Sequence, residues 1–321
     1  LYGGNAIGGV ITINSLLPEK YGLTNSSNVE GGSYSSIKTS NSTKFANKKI
    51  ELVFNLDAER SGGYNSFIDT GIAPTEKDGY YLYGSNFLSS FKVRNNLEVN
   101  LNGRFYKQHN EYDNNFAYPG DDVNYFRDDK VYALLLDLIY NSKSFSHKLS
   151  FQPTYTTRIS TSGTSYEYDG RKNKLEYIVS NNLLGIYNLS GVDLLNKNAD
   201  MNGTIAEKEV YSVFTEFRFE PLNNTNVDAS VRREYDSTYD TFDTGRLQVN
   251  HKFLKNMILR GSLGTGYRTP TPYELYSSYG NTNLTPEKSV SFDFGSEINF
   301  EVDNIKDTIN VHSILFRYVD L

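Results

Sequence analysis

The chain has no cysteine and no tryptophan. Without cysteine there is no disulfide scaffold and no thiolate metal site, and the compartment stays open. Long apolar runs are missing too. The longest, Val131 to Tyr140, is broken by Asp137 and is far short of the roughly 20 residues of a membrane helix. A basic surplus is absent: the formal net charge of −6 argues against nucleic acid as the main partner. No secretory leader is visible, because Leu1 has neither a Met nor a basic stretch ahead of it. The histidines, His109, His147, His251 and His312, are scattered and suggest no Ser/His/Asp arrangement, so no enzyme is expected.

What the 321 residues do contain is aromatic: 26 Tyr and 19 Phe. They sit in segments of strict alternation, the period of a strand. Ile50, Leu52, Phe54, Leu56 and Ala58 oppose Glu51, Asn55, Asp57 and Glu59. Leu97, Val99, Leu101 and Phe105 oppose Glu98, Asn100, Asn102 and Arg104. The same pattern recurs around Leu149–Arg158, Tyr211–Glu220, Met257–Arg268 and Val290–Val302, and no helical stretch is as clear. These legs run about 10 residues or more, against roughly 5–6 for an ordinary strand. That length suits tilted strands crossing a bilayer of about 30 Å. Only alternate residues of such a strand face lipid, so the mean hydropathy of −0.53 does not exclude a membrane. A soluble β-sandwich also alternates. Charge along the whole polar face and aromatics near the leg ends favour a wet-lumened barrel.

Short turns are expected near residues 46–49, 94–96, 141–144, 222–224 and 254–256. Long loops are expected at 61–78, 108–129, 160–172, 233–244 and 269–287. Short and long connections alternate, which puts the long ones on one rim and predicts roughly 14 strands. The region 181–207 is blurred, and the strand over 185–195 is the weakest expectation.

Two motifs carry a resemblance. The stretch GYRTPTPYELY…GNTNLTPEKS resembles a barrel hairpin of TonB-dependent outer-membrane receptors, whose form is an aromatic, a base, a small residue and Pro, then Leu-Tyr, then Gly-Asn-x-x-Leu-x-Pro-Glu-x-Ser. The start, LYGGNAIGGVITI, is similar to the end of the plug domain of the same receptors. Read as a nucleotide loop it fails, since Gly8-Gly9 lacks a following Gly-Lys-Ser/Thr and leads into a strand. The resemblance implies an all-β, transmembrane antiparallel β-barrel, part of a plugged barrel of about 22 strands. Residues 1–20 would be the plug end and 21–321 a partial barrel, both chain ends being expected to be incomplete.

By the same resemblance the protein would sit in the Gram-negative outer membrane, among its lipid. It would bind a scarce bulky nutrient, cobalamin or a ferric siderophore, and import it with energy from the TonB complex. A passive porin and a secreted soluble β-sandwich binding module are the alternatives. Candidate substrate contacts are Tyr112, Tyr118, Tyr235, Tyr276 and Tyr279. Carboxylates cluster in the 108–129 loop and at Glu167–Asp169, either as a solvated acidic rim or as hard oxygen ligands for Ca²⁺. Resemblance to the vitamin B12 receptor branch singles out Asp113, Asp121, Asp128 and Asp169 for that ion; no other cofactor is implied. The inward arginines Arg104, Arg158, Arg218, Arg260 and Arg268 are expected to meet plug carboxylates. Arg232-Arg233-Glu234-Tyr235 reads as a mixed-charge loop, either substrate-facing or merely solvated.

Overall fold

The computed structural model describes residues 16–65, 77–113, 125–162, 164–302 and 305–319, with 300–319 described by backbone alone. The motif at residues 1–13 therefore lies outside the described residues. One sheet holds everything. Its strands are β1 (Gly22–Gly32), β2 (Ser36–Ala46), β3 (Ile50–Tyr64), β4 (Asp78–Arg94), β5 (Leu97–Glu111), β6 (Phe126–Asn141), β7 (Phe145–Ser162) and β8 (Thr164–Leu183). They continue through β9 (Ile186–Met201), β10 (Thr204–Leu222), β11 (Thr225–Asp236), β12 (Asp240–Leu254), β13 (Met257–Arg268), β14 (Glu287–Val302) and β15 (Ile305–Val319). A single helical turn, α1 (Pro272–Tyr276), lies between β13 and β14. The sheet has 15 strands in sequence order, one more than the alternation suggested. Every strand whose pairing is described runs antiparallel to its neighbours.

The register carries one polar row across eight strand boundaries, Ser42, Asn55, Asn86, Arg104, Ala133, Thr154, Lys172, Lys197 and Lys208. The opposite face carries an apolar row, Leu101, Leu136, Phe151, Leu175 and Leu194. Burial is inverted relative to a water-soluble protein. The largest fully buried side chains are Asp193, Asp236 and Ser150, while Phe54, Phe151, Leu263 and Phe292 stand exposed. Among the described residues no second sheet packs on the apolar face, which rules against a sandwich. This is a barrel wall, polar inside and apolar outside.

Aromatic belts mark the bilayer edges on the outer face. At one edge His147 stacks with Tyr140 and Tyr177, its Nδ1 being 2.7 Å from the Tyr177 hydroxyl. At the other, Tyr132 sits between Phe105 and Tyr155. His251, at the first edge, lies 2.9 Å from Thr225 Oγ1. Pro153 interrupts the β6–β7 ladder between the pairs Ala133–Thr154 and Leu136–Phe151, having no N–H to give.

Short turns fall at one rim as expected, including the pair Leu184-Gly185 that closes the blurred region. The other rim, called the outer rim below, corrects two expectations. The segments 160–172 and 233–244 are not long loops: β7 and β8 pair as far as Ser162 with Thr164, and β11 and β12 are joined by residues 237–239. Above the bilayer nothing requires apolar outward residues, so the hydropathy alternation fades while the ladder continues. The turn Asn202-Gly203 at this rim has φ of 55° and 89°, the left-handed pair of a tight hairpin turn that Asn-Gly accepts readily. The connections at 65–77, 112–125 and 269–286 are long.

Candidate functional site at the outer rim and upper inner wall

Thr271 opens α1, and the hairpin motif closes around it. Its hydroxyl oxygen accepts from the Glu274 N–H at 3.3 Å, and Glu274 Oε2 accepts from the Thr271 N–H at 2.7 Å, a complete capping box. Pro272 starts the helix, where its missing N–H costs nothing. Arg268 then ties both ends of the connection together. It donates to both oxygens of Glu287 at 2.8 Å and to Glu274 at 3.0 Å and 3.1 Å. Gly280 packs on the helix end, where a Cβ would come within 2.7 Å of the Leu275 backbone. The Arg, the Pro-Tyr-Glu-Leu-Tyr and the Pro-Glu-Lys-Ser of the motif thus form a clamp. It presents Tyr276 half-exposed and Tyr279 90 % exposed.

The Thr271 N–H, the Thr271 hydroxyl and the Arg268 guanidinium hold the Glu274 carboxyl below its ordinary value. A depressed carboxylate stabilises the clamp above the unfolded carboxylate range, and that stability is lost as pH falls through the folded value. The protection of residues 269–286 against hydrogen exchange, taken relative to the intrinsic rate at each pH, is therefore expected to be flat from about pH 8 to 5 and to fall below about pH 4. Loosening between pH 7 and 5 would contradict the clamp.

Below the rim, β9 to β13 build a buried network on the inner face. Arg232 donates to Asp193 at 2.9 Å and to Glu234 at 2.8 Å. Ser212 Oγ lies 3.1 Å from Asp193 and 3.2 Å from Glu234. The Arg232 guanidinium sits 5.2 Å from the Phe214 ring centroid. Tyr267 donates to Glu234 and stacks on Phe242 with 4.0 Å between centroids. It turns inward here, although its place in the alternation of β13 puts it outward; the β12–β13 ladder ends at Arg246–Gly264, three residues earlier on β13, and so frees it. Lys208 pairs with Asp236 and donates to Thr269 at 2.7 Å.

The other inner bases also find partners on the wall itself, where plug carboxylates were expected. Arg158 and Arg127 converge on buried Asp129 at 2.8 Å and 2.7 Å. Arg218 meets Glu216 and Asp228, and Arg260 meets Glu297. Arg104 lies over the Tyr106 ring.

The candidate residues scatter. Tyr112 is pinned at the base of its loop, its N–H to Tyr125 O at 3.1 Å and its hydroxyl 3.4 Å from Thr161 O. Tyr235 lies on the outer face, stacked on Tyr211. Tyr118 and Asp121 lie outside the described residues. Asp128 binds His109 at 2.9 Å, and Asp169 accepts from Tyr155 at 3.1 Å. Both face outward, two strands and two residues apart by register, which places their Cα atoms about 12 Å apart. Parallel carboxylates at that separation do not share one Ca²⁺ ion at about 2.4 Å. Among the described residues, no three potential ligands gather for a metal, and Asp113 stands at the edge of the undescribed segment.

Asp193 and Lys208 were missed as members of a site, and Arg232 and Glu234, read as part of a mixed-charge loop, lie on the inner face of β11. The signal was present: Arg232, Glu234 and Asp236 alternate with Arg233 and Tyr235, a strand pattern written in polar residues.

Inverted burial, a polar inner wall and a clamped outer-rim loop define the wall of an outer-membrane β-barrel of the plugged receptor type. The sequence model of the TonB-dependent receptor-like β-barrel matches residues 18–311, and the chain belongs to that family. It is 26% identical over 318 residues to the vitamin B12 transporter BtuB of Vibrio vulnificus, covering 92% of this chain and 49% of that one. To the vitamin B12 transporter BtuB of Vibrio cholerae it is 21% identical, covering 91% and 48%. The chain thus spans about half the length of the curated relatives it matches. Its fold is similar to the siderophore receptor PirA of Pseudomonas aeruginosa, with a TM-score of 0.74, 14% identity and coverage of 94% and 57%. A ferric enterobactin receptor, PfeA, of the same organism gives 0.75, 14%, 98% and 56%. These relatives are receptors and transporters, and the family is one of the Gram-negative outer membrane.

Proposed function

We propose that this chain is the larger part of the barrel of a TonB-dependent receptor in the outer membrane, with residues 1–20 as the plug end. The receptor binds a scarce, bulky nutrient, cobalamin or a ferric siderophore, at the outer rim. It delivers the nutrient to the periplasm with energy from the TonB complex. The observation that carries this reading is the clamp of Arg268, Glu274 and Glu287, which holds a long loop with exposed tyrosines over a charged inner wall. A calcium ion at the rim would have to draw on Asp113 and the 114–124 segment, not on Asp128 and Asp169 together.

The test uses the full gene product in a Gram-negative host. A heat-modifiable band in the outer-membrane fraction, with nutrient uptake that stops when TonB is deleted, is the expected result. Uptake that continues without TonB supports a passive porin, and a soluble, unshifted protein ends the membrane reading.

A further inference from the structure

Lys172, Lys197 and Lys208 stand directly opposite one another on β8, β9 and β10, all on the inner face. Adjacent strands are about 4.8 Å apart, so like charges in this register repel. The wall's own carboxylates offset the row only in part, Glu234 and Asp236 attracting Lys197 from a distance. Asp236 is held by Lys208, Glu176 by Lys174, and Asp193 and Glu234 by Arg232. Among the described residues, Lys172 and Lys197 make no ion pair.

The next rung toward the outer rim is Gly170, Ala199 and Ala206, also in register. No side chain larger than a methyl group grows from that rung, and Gly170 and Ala199 on it are buried. The Tyr168 ring leans over it, since a Cβ on Gly170 would come within 2.5 Å of the Tyr168 hydroxyl. At the other end the Lys208 ammonium lies 5.7 Å from the Tyr239 ring centroid. Lys208 is four residues from the start of β10, about 13 Å along the strand from the rim. A ligand entering from outside reaches this row early.

We propose that the row is the seat of a multiply anionic ligand, in the charge class of a ferric tris-catecholate rather than of neutral cyanocobalamin. The proposal rests on the receptor reading above. Two unpaired ammonium groups beside a third, flanked by tyrosine rings, give a trianion charge-assisted hydrogen bonds that a neutral ligand cannot match. Lys208 is the wrong residue to remove, because its loss would strand the buried Asp236.

The experiment is equilibrium binding to the purified full gene product in detergent and to its Lys172→Gln, Lys197→Gln and double variants. The probes are ferric enterobactin with three negative charges, a neutral ferric trihydroxamate, and cyanocobalamin. Each single variant is expected to weaken the trianion roughly tenfold and the double variant about a hundredfold, with neutral probes unchanged. Lys→Arg substitutions at both positions should restore most of the affinity. Wild-type affinity for the trianion should fall as salt is added. A wild type that prefers a neutral probe or binds none of them overturns the proposal, as do variants that bind the trianion normally. Lower melting temperatures with unchanged ligand affinities overturn it too, because the lysines would then dock another part of the chain. Any of these with TonB-dependent uptake intact leaves the receptor reading standing, whereas loss of the heat-modifiable outer-membrane band removes that reading itself.

Discussion

Replacing Arg232 with Met is expected to lower the unfolding free energy of the receptor in lipid by about 3–5 kcal/mol, the usual consequence of stranding buried charge. Arg232 is 8% exposed, and its partners Asp193 and Glu234 are 2% and 6% exposed. Without the guanidinium, two carboxylates remain in a wall that gives them one serine hydroxyl, the Tyr267 hydroxyl and, for Asp193 alone, the Lys174 ammonium at 3.9 Å. The neighbouring residue is the control. Arg233 faces outward and donates to Asp243 at 2.7 Å and 2.6 Å, with both side chains more than half exposed. Arg233→Met should therefore change stability far less than Arg232→Met, despite comparable bonding geometry. Reversible urea unfolding in lipid vesicles measures both. Adding Asp193→Asn and Glu234→Gln to Arg232→Met should recover part of the loss, since neutral amides tolerate the site better than orphaned charges. Equal losses at 232 and 233 would show that the inner network is as wet as the outer rim.

The contrast between 232 and 233 also shows where the sequence was legible. Strands with apolar outward residues, such as Leu97, Val99 and Leu101 on β5, announce themselves because lipid demands every second side chain. Above the upper aromatic belt that demand ends. The run Arg232 to Asp243 then looks like a loop, although the ladder pairs Arg232 with Thr244 and Asp236 with Asp240. Hydropathy reports the lipid's requirement. It does not report the hydrogen bonds, which continue without it.

Partners across the sheet were still harder to see. Glu111, two residues from His109, lies 3.8 Å from its ring, yet the short contact at 2.9 Å is Asp128, placed opposite by the β5–β6 register. Asp128 and Asp169 were singled out as ligands of one ion by the family resemblance, with no register between their strands to check it. Register separates them, and each is bonded elsewhere. The clamp was more legible, because Arg268, Glu274 and Glu287 belong to one motif whose spacing is fixed by a single connection. A side chain's face follows from parity along its own strand. Its neighbours follow from register between strands, which one strand's sequence does not contain.

Leu136→Arg gives the most direct test of which face meets lipid. Leu136 lies in the outward row with Leu101, Phe151, Leu175 and Leu194, between the two aromatic belts. An arginine there must hold its charge in hydrocarbon, at a cost of about 2–4 kcal/mol near the bilayer midplane. Leu135, one residue earlier, pairs with Asn102 and faces the polar side, so Leu135→Arg meets water or polar groups and should cost far less. The difference appears as a smaller heat-modifiable fraction and a lower urea midpoint for Leu136→Arg, with Leu135→Arg close to wild type. The opposite ranking would turn the wall inside out. Equal tolerance at both positions would mean that neither face meets lipid. Because parity alone assigns the faces, one such pair of adjacent substitutions tests the orientation of the whole sheet, including the lysine row and the Arg232 network on its inner side.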